Sequence, residues 1–154
     1  MKTRLLRTLA TLTFSFVIIA GINAQDSGFG LGLYLGEPTG IGWKGWVAPN
    51  GAFAGAVAWS ISGERLHIHV DYHRHAFNVI NVEKGKLPLY YGLGAKVVLA
   101  DNTNFGARIP LGINYIFDDA PLDIFAELVP GLDLAPDTEF DLAGGIGIRY
   151  FFGQ

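Results

Sequence analysis

The stretch from Leu66 to Phe77 constrains the fold more than any other part of this sequence, because polar and apolar side chains alternate along it. In a β-strand, successive side chains point to opposite faces of the sheet. One face of this stretch therefore receives an aspartate and all four histidines of the chain, at His67, His69, Asp71, His73 and His75. The other face receives Leu66, Ile68, Val70 and Tyr72. The pattern predicts a strand that separates a polar space from an apolar one.

The same alternation, interrupted by turn residues, predicts eight strands along the chain. Their bounds are Gly28–Gly36, Ile41–Ala48, Ala52–Ile61, Leu66–Phe77, Leu87–Leu99, Phe105–Phe117, Leu122–Leu134 and Phe140–Phe152. Pro110 and Pro130 fall inside two of them, and each proline removes one donor from the ladder of hydrogen bonds. A closed barrel has no edge strand on which to place a proline, so we expect bulges or breaks at both positions.

The first residues have the pattern of a secretory signal peptide. Three basic residues precede an apolar run from Leu9 to Ile22, and small residues end it before Gln25. The alternative is a helical membrane anchor, but the run is about 14 residues long, against the ~20 that a spanning helix needs. The sequence therefore predicts a cleaved signal peptide at residues 1–24 and a single domain at residues 25–154.

The composition of that domain favours a membrane protein. The whole chain is 50% hydrophobic and only 16% charged, yet after the leader no other run is long enough to span a bilayer as a helix. Without the three leader cations, 8 basic residues face 14 acidic ones, a formal charge of −6 that argues against nucleic acid as a partner. The chain has no cysteine, so rigidity has to come from closure of the sheet and not from disulfides.

Alternation leaves two orientations, since a soluble lipocalin-like barrel would enclose its apolar side chains and a membrane barrel would expose them to lipid. The polar face is rich in Gly and Ala, which suits the narrow interior of an eight-stranded barrel. Aromatic residues lie near strand ends on the apolar face, at Phe53, Tyr115, Phe117, Tyr150 and Phe152. We therefore predict an all-β, eight-stranded antiparallel up-and-down transmembrane β-barrel in contact with lipid. The alternative is a secreted soluble barrel that binds an apolar ligand.

Four segments in the second half of the chain add a resemblance. They are Gly85–Gly94, Arg108–Gly112, Phe125–Pro130 and Gly144–Phe152. In them the sequence resembles small bacterial outer-membrane barrels related to the OmpA transmembrane domain, a group largely without assigned function. The resemblance implies location in the cell outer membrane and recognition of Phe152 by the barrel-assembly machinery. It brings no catalytic residues.

The membrane orientation predicts a polar network inside the barrel. Its members are Lys44, His67, His69, Asp71, His73, His75, Lys96, Arg108, Asp123, Glu127, Asp133, Asp141 and Arg149. Apart from the histidines, four cations face five acids, and an unpaired buried ion would cost several kcal/mol. We therefore expect ion pairs that plug the lumen, with Arg108, Glu127 and Arg149 as partners. A gated channel is the alternative.

The histidines allow two interpretations. Imidazoles at every second position of a strand can ligate zinc or copper with Asp71, or can fill the lumen as hydrogen-bonding groups. Ser60, Ser62 and His67 lie near one rim, but nucleophilic catalysis needs a third group that orients the base, and only Glu64 is nearby. We expect a monomeric, structural or small-solute-related membrane protein with no cofactor and no enzyme activity.

Overall fold

The computed structural model describes residues 28–36, 38–60 and 64–152, so the predicted signal peptide lies outside the described residues. These ranges form nine β-strands. They are β1 (Phe29–Gly36), β2 (Thr39–Ala48), β3 (Gly51–Trp59), β4 (Leu66–Ala76), β5 (Leu89–Leu99), β6 (Asn104–Arg108), β7 (Leu111–Ile116), β8 (Leu122–Ala135) and β9 (Glu139–Phe152). Among the described residues, no helix is long and apolar enough to cross a membrane.

The strands close into a ring in which every neighbour is antiparallel. Consecutive strands pair from β1 to β5, and β9 pairs with β1 from Phe29 opposite Phe152 to Gly36 opposite Gly145. Strands β6 and β7 both lie between β5 and β8, so together they occupy one position in the ring. The ring thus has eight positions, and the predicted eight-stranded antiparallel barrel is confirmed.

The division between β6 and β7 falls at Pro110, as predicted. The register does not change across it, because Arg108 lies opposite Gly94 and Leu111 lies opposite Tyr91, three residues along on both strands. The Pro110 carbonyl accepts a hydrogen bond from the Gly92 amide at 2.9 Å. Only the reciprocal bond, for which proline has no donor, is missing. The barrel therefore tolerates Pro110 as a local interruption of one strand.

The break expected at Pro130 is not observed, since β8 runs without interruption from Leu122 to Ala135. Pro130 lies opposite Leu142 in the ladder with β9, and on its other side its carbonyl accepts from the Ile109 amide at 2.9 Å. The nitrogen of a strand residue points to the same side as its carbonyl, so the missing donor faces the interruption in the neighbouring strand. The two prolines thus border the same interruption in the hydrogen bonding of the sheet.

The two faces of the barrel differ as the membrane orientation predicts. Outward side chains such as Leu33, Leu93 and Ile146 are exposed, whereas Lys44 is 0% exposed and Asp123 is 1% exposed inside the barrel. The interior of a lipocalin-like barrel would be apolar, so that alternative is wrong for this structure.

The two ends of the barrel carry different connections. We call the end with Phe29 and Phe152 the terminal end, and the opposite end the distal end. At the terminal end, the segment 77–88 is held against the segment 117–121, where the Gly85 amide donates to Asp118 Oδ2 at 2.8 Å. Gly85 has a φ of 74°, a left-handed conformation that favours glycine. The segment 77–88 is therefore a folded connection and not an open linker.

Candidate functional site

The candidate site is the barrel lumen, because the structure gathers the predicted polar network there. Nine of its thirteen residues are buried and the Glu127 side chain is only 3% exposed, whereas His67, Asp133 and Asp141 are half-buried. The ionic side chains form three clusters along the barrel, which we name the terminal, central and distal clusters.

The terminal cluster consists of Lys44, Asp123 and Arg149, with His75 and Asn114. Arg149 donates from Nε and Nη2 to the two Asp123 oxygens, at 2.8 and 2.9 Å. Lys44 Nζ donates to Asn114 Oδ1 at 2.8 Å and lies 2.9 Å from His75 Nε2 and 3.8 Å from Asp123 Oδ2. Two cations therefore share one carboxylate. The expected pairing of Arg149 with Glu127 is wrong, since Arg149 instead binds Asp123 through Nε and Nη2.

The central cluster consists of Asp71, Arg108 and Glu127, with Tyr34 and Tyr90. Arg108 Nε lies 3.0 Å from Asp71 Oδ1, and Arg108 Nη2 donates to Glu127 Oε1 at 3.4 Å. Both tyrosines donate to the Glu127 carboxylate, Tyr34 at 3.0 Å and Tyr90 at 2.7 Å. The expected partnership of Arg108 with Glu127 is present, but Arg108 also binds Asp71. One guanidinium thus joins two acids.

The distal cluster consists of Lys96, Asp133 and Asp141. Lys96 Nζ lies 2.8 Å from Asp133 Oδ1 and 2.6 Å from Asp141 Oδ1. The Asp141 side chain is 41% exposed, against 1% for Asp123 in the terminal cluster. The distal cluster therefore meets solvent and the terminal cluster does not.

Glycines in the intermediate strands allow these partners to meet. Asp71 on β4 lies opposite Gly94 on β5, which in turn lies opposite Arg108 on β6. A Cβ atom on Gly94 would collide with the Asp71 carboxylate and with the Val70 carbonyl oxygen. Two further rows repeat the arrangement: Lys96–Gly106–Asp133 and Tyr90–Gly112–Glu127. The inward glycines thus leave room for long polar side chains to reach partners two strands away.

The histidines line one wall of the same space. His69 Nε2 and His73 Nε2 lie 3.9 and 3.7 Å from Asp71 Oδ2. His73 stacks on Tyr90 with ring centroids 4.5 Å apart, and His75 packs on Trp46 at 4.4 Å. Within the described ranges, no group of three or more His, Cys, Asp or Glu side chains could hold a metal ion.

Little space remains inside the barrel. The cavity at the central cluster, lined in part by Tyr34, His73 and Glu127, measures about 10 Å³, and a water needs at least about 10–15 Å³. The distal end opens into a polar basin of about 450 Å³, which Glu64 and Asp101 help to line. Ser62, part of the rim considered for catalysis, lies outside the described residues. The lumen is therefore packed at its centre and open to solvent at one mouth.

The predicted polar network left out its uncharged members Tyr34, Tyr90 and Asn114. The period of two places all three on the inward side of their strands with the charged residues, but it does not show that they bind those residues. Asn114 is 0% exposed; besides accepting from Lys44 it donates to the Ile124 carbonyl at 2.9 Å.

Comparison with known proteins extends the description of the fold. No protein-family model matches the chain, and no curated protein matches it either. Among solved structures, the N-terminal β-barrel domain of Pseudomonas aeruginosa OprF is similar with a TM-score of 0.60, over 82% of this chain and 96% of that one. The fold is that of the OprF barrel domain.

Sequence identity with the OprF domain is 14%, so the likeness is one of fold. It agrees with the fold that the resemblance to OmpA-type barrels implied. The lumen residues of this chain are described by its own geometry and not by comparison with the OprF barrel.

Proposed function

We propose that this protein is an integral outer-membrane β-barrel with a structural role, whose lumen is closed to solutes by ion pairs. One observation carries the proposal: charged side chains lie inside the barrel, and the outside is apolar. Among the described strand residues, Arg74 is the one charged side chain at an outward position. A surface of this kind is stable in lipid, where a charge at mid-depth costs about 2–4 kcal/mol.

The dimensions of the barrel support the same proposal. Strands β2, β3, β4 and β5 have 10, 9, 11 and 11 residues, and a membrane-spanning strand needs about 9–11. Outward aromatic rings lie near both ends: Trp59, Phe105 and Phe140 near the distal end, and Tyr115, Tyr150 and Phe152 near the terminal end. Aromatic girdles of this kind mark the two membrane interfaces.

The packed centre favours a structural role over solute transport. The central cavity holds a single water at most, and the ion pairs around it lie between buried side chains. Passage of a solute would require separation of Arg108 from Asp71 and Glu127, which costs several kcal/mol when one buried charge loses its partner.

The test is assembly of the full-length protein and of a Leu93→Arg variant. Leu93 is 66% exposed on the outward face of β5, so an arginine there should prevent insertion into the membrane. The unmodified barrel should fractionate with the outer membrane and migrate faster on gels before boiling than after it. The variant should lose both properties.

The matched control is Val79→Arg in the segment 77–88, where Val79 is 61% exposed outside the strands. This variant should assemble normally, because the new charge meets water. Normal assembly of Leu93→Arg, or recovery of the unmodified protein in the soluble periplasmic fraction, would contradict the proposal.

A further inference from the structure

The histidines of β4 form a column along the barrel axis, because they occupy four of the five consecutive inward positions of one strand. His67 and His69 have ring centroids 5.3 Å apart, and the centroids of His73 and His75 are 6.1 Å apart. Asp71 occupies the inward position between the two pairs. We propose that this column is a proton path through the barrel, and that larger ions do not follow it. The inference rests on the proposed function, because a proton path through the barrel requires the barrel to span a membrane.

Asp71 makes the column continuous. Its Oδ2 atom lies 3.9 Å from His69 Nε2 and 3.7 Å from His73 Nε2. These distances exceed the upper hydrogen-bond limit of about 3.2 Å by about 0.7 and 0.5 Å, so each ring has to rotate to bring its nitrogen within reach of the carboxylate. The carboxylate thus lies between the imidazoles of His69 and His73 and connects the two pairs of histidines.

Four ring nitrogens of the column are available for proton transfer, whereas His75 Nε2 is hydrogen-bonded to Lys44 Nζ. Among the described residues, His69 Nδ1, both nitrogens of His73 and His75 Nδ1 are buried without a hydrogen-bond partner. A buried polar atom without a partner is destabilising, and a passing proton or water would offset that cost. The central cavity, which holds one water at most, is lined in part by His69, Asp71 and His73. The arrangement suits relay between ring nitrogens.

Both ends of the column come close to solvent. His67 is half-buried and lies opposite Val98, and Val98 lines the polar basin at the distal end. At the terminal end, His75 packs against Trp46 and Phe77, with ring centroids 4.4 and 6.1 Å away, and both rings are half-exposed. The column therefore extends from one mouth of the barrel to within one side chain of the other.

The charges around the column accommodate an extra proton. The groups that face it from the other strands are Tyr34, Lys44, Tyr90, Lys96, Arg108, Asp123, Glu127, Asp133, Asp141 and Arg149. The distal and central clusters each contain two acids and one cation, so each has a formal charge of −1. The terminal cluster contains two cations and one acid, so transfer to His75 is the least favourable step.

The transfer balances without any other reactant. A neutral imidazole accepts a proton at one nitrogen and releases another proton from its second nitrogen. Asp71 Oδ2 takes the proton from one ring and returns it to the next. Each proton that enters at one mouth is matched by one that leaves at the other, and no bond between heavy atoms changes. A hydrated potassium ion has no comparable route, because the central cavity is about 10 Å³.

The experiment measures proton and potassium fluxes in lipid vesicles that contain the purified full-length protein and an internal pH dye. Protein vesicles should show a proton flux above that of protein-free vesicles and no excess potassium flux. His73→Phe keeps a ring on Tyr90 but removes both nitrogens, so the flux should fall roughly a hundredfold, in line with loss of a positioned proton-transfer group. Tyr72→Phe, on the outward face of the same strand, is the matched control and should keep the full flux.

Faster migration before boiling shows that each variant has folded, and His69→Phe replaces His73→Phe if the latter fails this check. An unchanged proton flux in the folded histidine variant would overturn the proposal. So would a flux equal to that of protein-free vesicles, or a potassium flux that matches the proton flux, since the last result indicates a water-filled pore.

Discussion

At the scale of single residues, the lumen depends on glycines as much as on charges. Asp71 reaches Arg108 across Gly94, and a Cβ there would occupy the position of the Asp71 carboxylate. By contrast, a Cβ on the inward Gly42 would make ordinary contacts, at 3.6 Å to the Gly55 carbonyl oxygen and 3.7 Å to the Tyr34 Cβ. Two glycines on the same face of the sheet thus differ, because a Cβ atom fits at Gly42 and does not fit at Gly94.

We expect Gly94→Ala to lower the free energy of unfolding by about 1–3 kcal/mol, the usual cost of forcing extra volume into a packed interior. Gly42→Ala should leave it unchanged or raise it slightly, because alanine restricts the unfolded chain. Urea titration of the barrel in lipid vesicles, followed by tryptophan fluorescence, measures both changes. Equal effects of the two substitutions would show that the space above Gly94 has no special importance.

At the scale of strands, the prolines show how a closed sheet accommodates residues that cannot donate. Pro110 and Pro130 each accept one hydrogen bond from a neighbouring strand and lack only the reciprocal one. We expect Pro110→Ala to supply that donor and to join β6 and β7 into a single strand. The new amide at position 110 should then exchange slowly with solvent deuterium, as strand amides do.

Pro49→Ala is the control, since it lies in the exposed turn between β2 and β3 and its new amide should exchange rapidly. Rapid exchange at position 110 as well would mean that the interruption comes from the surrounding packing and not from proline.

The strands and their order in the ring were predictable from the sequence, but the register between neighbouring strands was not. Predicted and observed strand ends agree within two residues, and the period of two correctly placed Lys44 and Asp123 inside. That period carries no information on the offset between neighbouring strands. Arg149 lies directly opposite Asp123, while Glu127 lies opposite Gly145, four residues away. The predicted Arg149–Glu127 pair failed for this reason.

At the scale of the whole molecule, the barrel is a ring in which the first and last of the described strands are neighbours. Phe29 lies opposite Phe152, so a short linker can join the first and last strands. A circular permutant with this linker, opened in the exposed segment near Val79 and given an export signal, should keep every strand next to its present neighbours. We expect it to migrate faster before boiling than after, like the unmodified protein.

A permutant with its new ends inside β4, between Val70 and Asp71, is the control and should not assemble, because it divides the histidine strand. Failure of the first permutant would show that the order of the strands along the chain matters beyond their neighbours in the ring.

The pairing of β1 with β9 also determines the order in which the strand pairs form during folding. All other strand neighbours are close in sequence and can form early, whereas this pair joins residues more than 100 positions apart. The contacts of Lys44 with Asp123 and of Tyr34 with Glu127 connect strands on opposite sides of that junction. Until the ring closes these groups remain hydrated, so closure and drying of the lumen form one late step. The reverse of this step, in which the ring opens and the lumen is rehydrated, sets the rate at which the finished barrel unfolds.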